Sequence, residues 1–159
     1  MIPIKGLNHA VLTVADLDRA VRFYHDVFGF DEIARAGRKM AFMRAHGSKN
    51  HHDLGFLSLG RDAVQPPRNA VGLFHLAWEV PAIEDLANAR AALVAAGALV
   101  GESDHGATKS VYGVDPDGHE FEIMWMVPRE QWGEYEGQAP TGHLDLEAEL
   151  RRHSASAKS

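Results

Sequence analysis

Two histidines and a glutamate in this chain have the side-chain types and the placement to hold a metal ion. His9 and His75 stand 66 positions apart in matching settings, Gly6-Leu7-Asn8-His9 and Gly72-Leu73-Phe74-His75. Glu122 lies in the apolar run Glu120-Phe121-Glu122-Ile123-Met124-Trp125-Met126. Two imidazoles and one carboxylate occupy one face of a metal octahedron and leave the opposite positions open. That is the donor set of non-haem Fe(II) oxygenases, and Mn(II) also fits it. The chain has no cysteine, so disulfides and thiolate sites are excluded, and any metal must be held by His, Asp or Glu. Side chains alternate along a strand, so Glu120 shares a face with Glu122, and periodicity does not choose between them. Phe121 and Ile123 face the other way, toward helices.

Strands and helices must position these groups, and the chain carries two similar sets. Leu7 to Val14 is apolar and β-branched enough for a strand. Asp16 opens a helical pattern in which Leu17, Ala20, Val21, Tyr24, Val27 and Phe28 recur at three- and four-residue spacing, and Gly29 stops it. Strands are expected at Asp31–Ala36, Lys39–Ala45 and His52–Leu59, then a linker from Gly60 to Ala70 with Pro66-Pro67. The second half repeats the order: a strand at Leu73–Val80, a helix at Ile83–Ala96 ended by Gly97, and strands at Leu99–Glu102, Ser110–Val114 and Glu120–Met126. Asp115-Pro116-Asp117-Gly118 is hairpin punctuation. Identity between the halves is low, and the shared element order carries the repeat. Two copies of strand-helix-three-strands predict a pseudo-symmetric α+β domain at 1–128, with modules at about 6–60 and 72–127. If a twofold axis relates the modules, both imidazoles face a shared interior. An extension at 129–159 follows, with a short helix at Leu144–Arg152 and a frayed tail from His153 to Ser159. Trp125-Met126-Val127-Pro128 and Trp132 are read as packing for that extension rather than as the mouth of a cup.

Length and composition fit one soluble globular domain: 159 residues, 45% hydrophobic and 24% charged. The net charge of -6, with no basic run, argues against nucleic acid as a partner. No apolar stretch approaches the roughly 18 residues of a membrane helix. The N-terminus is too short and too weakly apolar for a signal peptide, so the expected location is cytoplasmic.

Four blocks make the chain similar to a known family. They are Leu7-Asn8-His9-Ala10-Val11-Leu12-Thr13-Val14-Ala15-Asp16, the stretch Arg22 to Phe30 (RFYHDVFGF), Gly72 to Val80 (GLFHLAWEV), and Tyr112 to Ile123 (YGVDPDGHEFEI). The chain resembles the vicinal oxygen chelate superfamily, which includes glyoxalase I, extradiol dioxygenases and the fosfomycin- and bleomycin-resistance proteins. The resemblance covers about residues 6–126 and is nearest to single-domain extradiol dioxygenases. It implies an open, U-shaped mixed β-sheet around the metal, with the helices outside. In the family the metal-binding Glu falls four residues after the Gly of D-P-x-G, which selects Glu122 over Glu120.

The resemblance also implies roles around the metal. Glyoxalase I has a fourth ligand, a Glu on the last strand of the first half, and no carboxylate lies at 54–59 here. Three ligands favour oxygenase chemistry, although fosfomycin-resistance enzymes also have three. Extradiol dioxygenases carry a His-His pair opening that strand, and His52 matches the second, an acid/base. Their Tyr ten residues before the metal Glu matches Tyr112, and a substrate-facing His matches His105 in the loop before it. His25, His46 and His119 have no assigned role and are read as surface residues. The implied activity is Fe(II)- or Mn(II)-dependent cleavage of an aromatic vicinal diol with dioxygen. Alternatives on the same scaffold are a glyoxalase-type lyase, an isomerase or a thiol transferase, and, in another class, a non-catalytic binding or resistance protein. A homodimer is expected, because open sheet edges need covering.

Overall fold

The structure, a computed structural model, describes residues 1–67 and 69–154. The chain divides into two compact units, Met1–Val71 and Gly72 onward. In the first, β1 (Ala10–Val14) is followed by α1 (Leu17–Phe28), β2 (Asp31–Ala36), β3 (Met40–Arg44) and β4 (Leu54–Ser58). Asp16 caps α1 by accepting a hydrogen bond from Arg19 N at 3.1 Å, which satisfies a donor the first helical turn leaves open. Leu17, Ala20, Val21 and Tyr24 form its buried stripe. Gly29 ends it at φ 69°, a left-handed turn that glycine adopts without a Cβ penalty. The helix packs on the sheet, where Leu12, Val14, Ala41, Met43, Leu54 and Phe56 supply the core. The strand order is β1-β4-β3-β2, with β1 and β4 parallel.

The second unit repeats this order. β5 (His75–Val80), α2 (Ile83–Ala95), β6 (Leu99–Asp104), β7 (Thr108–Val114) and β8 (Glu120–Met126) give a sheet ordered β5-β8-β7-β6, with β5 and β8 parallel. Ile83, Leu86 and Leu93 of α2 pack with Val111, Phe121 and Ile123. The expected α+β fold of two βαβββ modules is therefore present, each module with an open mixed sheet. Several strands are shorter than the apolar runs suggested. β1 begins three residues late, with Leu7 exposed, and β4 begins after the His51-His52 pair rather than on it. β6 and β7 each run two residues further toward their shared turn than expected.

The 129–154 extension is folded against the second unit. Two short 3-10 turns, Arg129–Gln131 and Gly133–Gly137, lead to α3 (Leu146–Ser154), which packs on α2. Trp132 Nε1 donates to Val127 O at 2.6 Å, and buried Trp125 meets the His153 ring at 4.7 Å. The tryptophans thus pack the extension, as expected. The helix starts two residues later than predicted and includes His153, while 155–159 of the expected frayed tail lie outside the described residues. Among the described residues no helix is long and apolar enough to cross a membrane.

His119 departs from its expected surface role. It is half-buried at the β7–β8 turn, with Nδ1 2.9 Å from a carboxylate oxygen of buried Asp115. The other Asp115 oxygen accepts from the backbone N–H groups of Asp117 and His119, so the carboxylate organises the whole turn. The hydrogen bond to Asp115 raises the His119 pKa above the ordinary histidine value against the opposing effect of burial, helped by the Asp115 and Asp117 charges. A raised folded-state pKa means this stabilisation is complete below the unfolded value near 6.5 and is lost as pH rises through the folded value. Urea denaturation should therefore show a larger stability advantage of wild type over His119→Gln at about pH 5.5 than at about pH 9. An equal gap at both values would remove the charged pair as its source.

Candidate metal centre

The parallel pairing of β5 with β8 sets His75 opposite Glu120 and Ala77 opposite Glu122. The antiparallel pairing of β7 with β8 sets Tyr112 opposite Glu122. These registers bring one imidazole, one carboxylate and one phenol to the same face of the second sheet. His75 Nε2 lies 3.1 Å from Glu122 Oε2, and its Nδ1 lies 4.0 Å from Glu120 Oε1. That Nδ1 is buried without a hydrogen-bond partner among the described residues. Buried ring nitrogens are normally satisfied, so the orphan marks a ring placed for something other than internal hydrogen bonding. Glu122 is the better furnished carboxylate: its Oε1 accepts from Ser110 Oγ at 2.5 Å and lies 3.2 Å from the Tyr112 hydroxyl. The Ser110 donor on Oε1 leaves Oε2 directed at His75.

Tyr112 continues the line outward, because its hydroxyl is also 2.8 Å from His105 Nε2. Burial raises the Tyr112 pKa to about 12, aided by the Glu122 charge and the hydrogen bond between them. Its hydroxyl therefore stays protonated as a donor across the neutral range. His105 Nδ1 in turn lies 2.8 Å from Pro140 O. Four of the residues singled out in the sequence, His75, Glu122, Tyr112 and His105, thus form one contiguous group in the second unit.

The other two, His9 and His52, meet in the first unit with ring centroids 4.3 Å apart. His9 is exposed, just ahead of β1, with Nδ1 2.8 Å from Asn8 Oδ1. His52 sits partly buried, its ring edge-on to Phe42 at 5.0 Å, and its Nδ1 faces His51 Nδ1 at 3.1 Å. Desolvation lowers its pKa below the ordinary histidine value, and the neighbouring His9 and His51 add to this while Asp53 opposes it. Asp53 fixes the turn that carries the pair, accepting from Ala45 N, Ser48 Oγ and Asn50 Nδ2, each at 2.8 Å. Among the described residues, no three His, Asp or Glu side chains are gathered closely enough to hold a metal ion.

The repeat locates the first unit's counterpart of Glu122. Val11 pairs with Gly55 as Ala77 pairs with Glu122, and Phe42 faces Gly55 as Tyr112 faces Glu122. Glycine stands at that position, with Val11 Cγ2 only 3.2 Å from where a Cβ would sit. A longer side chain there would require Val11 or Phe42 to move. Ser110, which holds Glu122, was missed in the sequence. Its signal was its place two residues before Tyr112 on the same strand face.

Residues 6–123 match the model of the "Glyoxalase/Bleomycin resistance protein/Dioxygenase superfamily". Catechol-2,3-dioxygenase of Bacillus subtilis (strain 168) is 33% identical over 127 residues, 79% of this chain and 43% of that protein. The manganese-dependent 2,3-dihydroxybiphenyl 1,2-dioxygenase of Geobacillus genomosp. 3 is 30% identical, over 79% of this chain and 38% of that protein. The metallothiol transferase FosB of Lysinibacillus sphaericus (strain C3-41) is 28% identical, over 76% of this chain and 82% of that protein. The chain spans less than half the length of the two dioxygenases.

Proposed function

The chain belongs to the glyoxalase/bleomycin resistance protein/dioxygenase superfamily, and we propose that within it the chain is a metal-dependent extradiol dioxygenase acting on an aromatic vicinal diol. The observation that carries this is the line Glu122–Tyr112–His105 beside the orphaned imidazole of His75. It sets a carboxylate for a metal next to two groups suited to a substrate oxygen, which a simple binding pocket does not need. His75 and Glu122 of the second unit would be ligands of the ion. Nitrogen and oxygen donors without sulfur suit Fe(II) or Mn(II), and Gly55, the counterpart of Glu122 in the repeat, supplies no carboxylate. When bound, such an ion supplies Lewis acidity that lowers the pKa of a diol hydroxyl, and a redox centre for dioxygen.

The protein's own groups do the rest. The Tyr112 hydroxyl, protonated at neutral pH, donates to His105 Nε2, which leaves the phenol oxygen as an acceptor for a substrate hydroxyl. His52 takes and returns a proton at Nε2, the nitrogen left when Nδ1 faces His51. The proposed assembly is a homodimer. The metallothiol transferase relative supports a second reading, transfer of a thiol to a small molecule, because this chain covers most of that protein's length. Elemental analysis of the purified protein, followed by oxygen uptake with catechol, separates the two. Iron or manganese with oxygen consumed mole for mole with diol is the expected result. A bound metal with no oxygen uptake, but loss of free thiol in the presence of an epoxide, would overturn it in favour of the transferase.

A further inference from the structure

The hydrogen-bonded line through Tyr112 and His105 ends on a backbone carbonyl of the C-terminal extension. His105 Nδ1 is 2.8 Å from Pro140 O, and Thr141 Oγ1 is 3.5 Å from the same nitrogen. A carbonyl oxygen only accepts, so Nδ1 must carry a proton. In the neutral ring Nε2 is then a bare acceptor, facing the Tyr112 hydroxyl at 2.8 Å. The phenol has one proton, and Glu122 Oε1 is the more distant of its two acceptors at 3.2 Å.

Pro140 is itself held from both sides. Asp104 N donates to Gly142 O at 3.0 Å and Gly142 N donates to Asp104 O at 2.8 Å, an isolated antiparallel bridge that ties the extension to the end of β6. The Tyr135 ring lies against Gly106, so closely that a Cβ there would sit 2.5 Å from Cγ and Cδ1. Gly106 N donates to Asp104 Oδ1 at 2.7 Å, and buried Lys109 reaches the same oxygen at 2.6 Å. Asp104 thus joins the strap to the turn that carries His105.

We infer that residues 135–142 are a positioning element for His105, in which the Pro140 carbonyl selects the Nδ1-protonated ring and aims Nε2 at the Tyr112 hydroxyl. Which ring nitrogen holds the proton is set by the partner of the other, and here that partner comes from outside the repeated modules. The consequence for turnover rests on the dioxygenase function proposed above, whereas the protonation form of His105 does not.

Long-range ¹⁵N NMR of the histidine rings in the full, metal-free chain at neutral pH reads the form directly. The Nδ1–H tautomer is expected for His105, whereas a histidine free in water favours Nε2–H. Gly142→Pro removes the donor to Asp104 O, and Tyr135→Ala removes the ring that seats on Gly106. Both should move His105 toward Nε2–H, while Tyr135→Phe keeps the wild-type signal. With metal content unchanged, kcat on catechol should fall about tenfold in the first two variants, the scale of losing an outer-shell contact. If Gly142→Pro fails to fold, the Tyr135 pair carries the comparison. Dominant Nε2–H in the wild type, or an unmoved Nδ1–H signal in the folded disrupting variants, would overturn the positioning role. Wild-type protein with the expected tautomer but no oxygen uptake would instead overturn the dioxygenase function and leave the positioning role standing.

Discussion

His75→Ala, produced in metal-replete medium, is expected to bind Fe(II) or Mn(II) more than about a hundredfold more weakly than wild type, beyond the 10–100-fold cost of losing an outer-shell partner. Oxygen uptake with catechol should vanish with the metal. The expectation follows from how little else the imidazole does. Its Nδ1 has no hydrogen-bond partner among the described residues, and its Nε2 meets only the Oε2 side of Glu122. Glu122 keeps the Ser110 donor on its other oxygen, so the variant leaves no stranded carboxylate. A quarter of the His75 side chain is exposed, which limits the cavity left behind. Thermal melting of the apo form should move by only a few degrees, the response to about 1 kcal/mol in a domain of this size. A structural histidine would give the opposite pattern, with stability lost and metal retained. Elemental analysis and a melting curve on the same sample therefore distinguish the two, and full metal occupancy in His75→Ala would remove this residue from the ligand set.

The repeat was readable because hydrophobic periodicity and glycine stops reflect local physics. Leu17, Ala20, Val21 and Tyr24 bury as the spacing required, and Gly29 and Gly97 adopt positive φ at 69° and 65° where the helices end. β8 was legible to the residue because its two faces differ sharply, with buried Phe121 and Ile123 alternating with Glu120 and Glu122. Strand starts were not legible at Leu7 and Leu73, both exposed apolar residues, since a run of suitable side chains says nothing about whether a partner strand is there to pair with. In the candidate site, the neighbours of Glu122 follow from strand register, which period-2 reasoning reaches. Pro140 could not be found that way. Its contribution is a carbonyl oxygen, which every residue has, and its place depends on a bridge 38 positions from Asp104 to Gly142. His119 was misjudged for a related reason: its burial comes from Asp115, and two residue types in a turn do not reveal which carboxylate points inward.

His52→Ala should leave the metal in place and slow ring cleavage by roughly 10² to 10⁴, the usual range for a lost general acid/base. The imidazole is suited to the work because it is held without being spent. The Asp53 turn fixes its backbone, Phe42 and His9 bracket its ring, and Nδ1 is engaged by His51. Burial and the adjoining imidazoles lower its pKa, so the ring is neutral near pH 7 and ready to accept a proton at Nε2. An effect of this size on kcat with little change in KM for catechol would mark a group needed in the transition state rather than for binding. His51→Ala is the matching control. It loses the partner of Nδ1 but keeps the ring that moves the proton, so its loss should be smaller, about tenfold, as for an orienting contact. Oxygen uptake measured on both variants at equal metal content decides the point. His52→Ala turning over at the wild-type rate would leave the proton to another base, and a His51→Ala defect as large as that of His52→Ala would mean the pair serves to shape the loop rather than to transfer a proton.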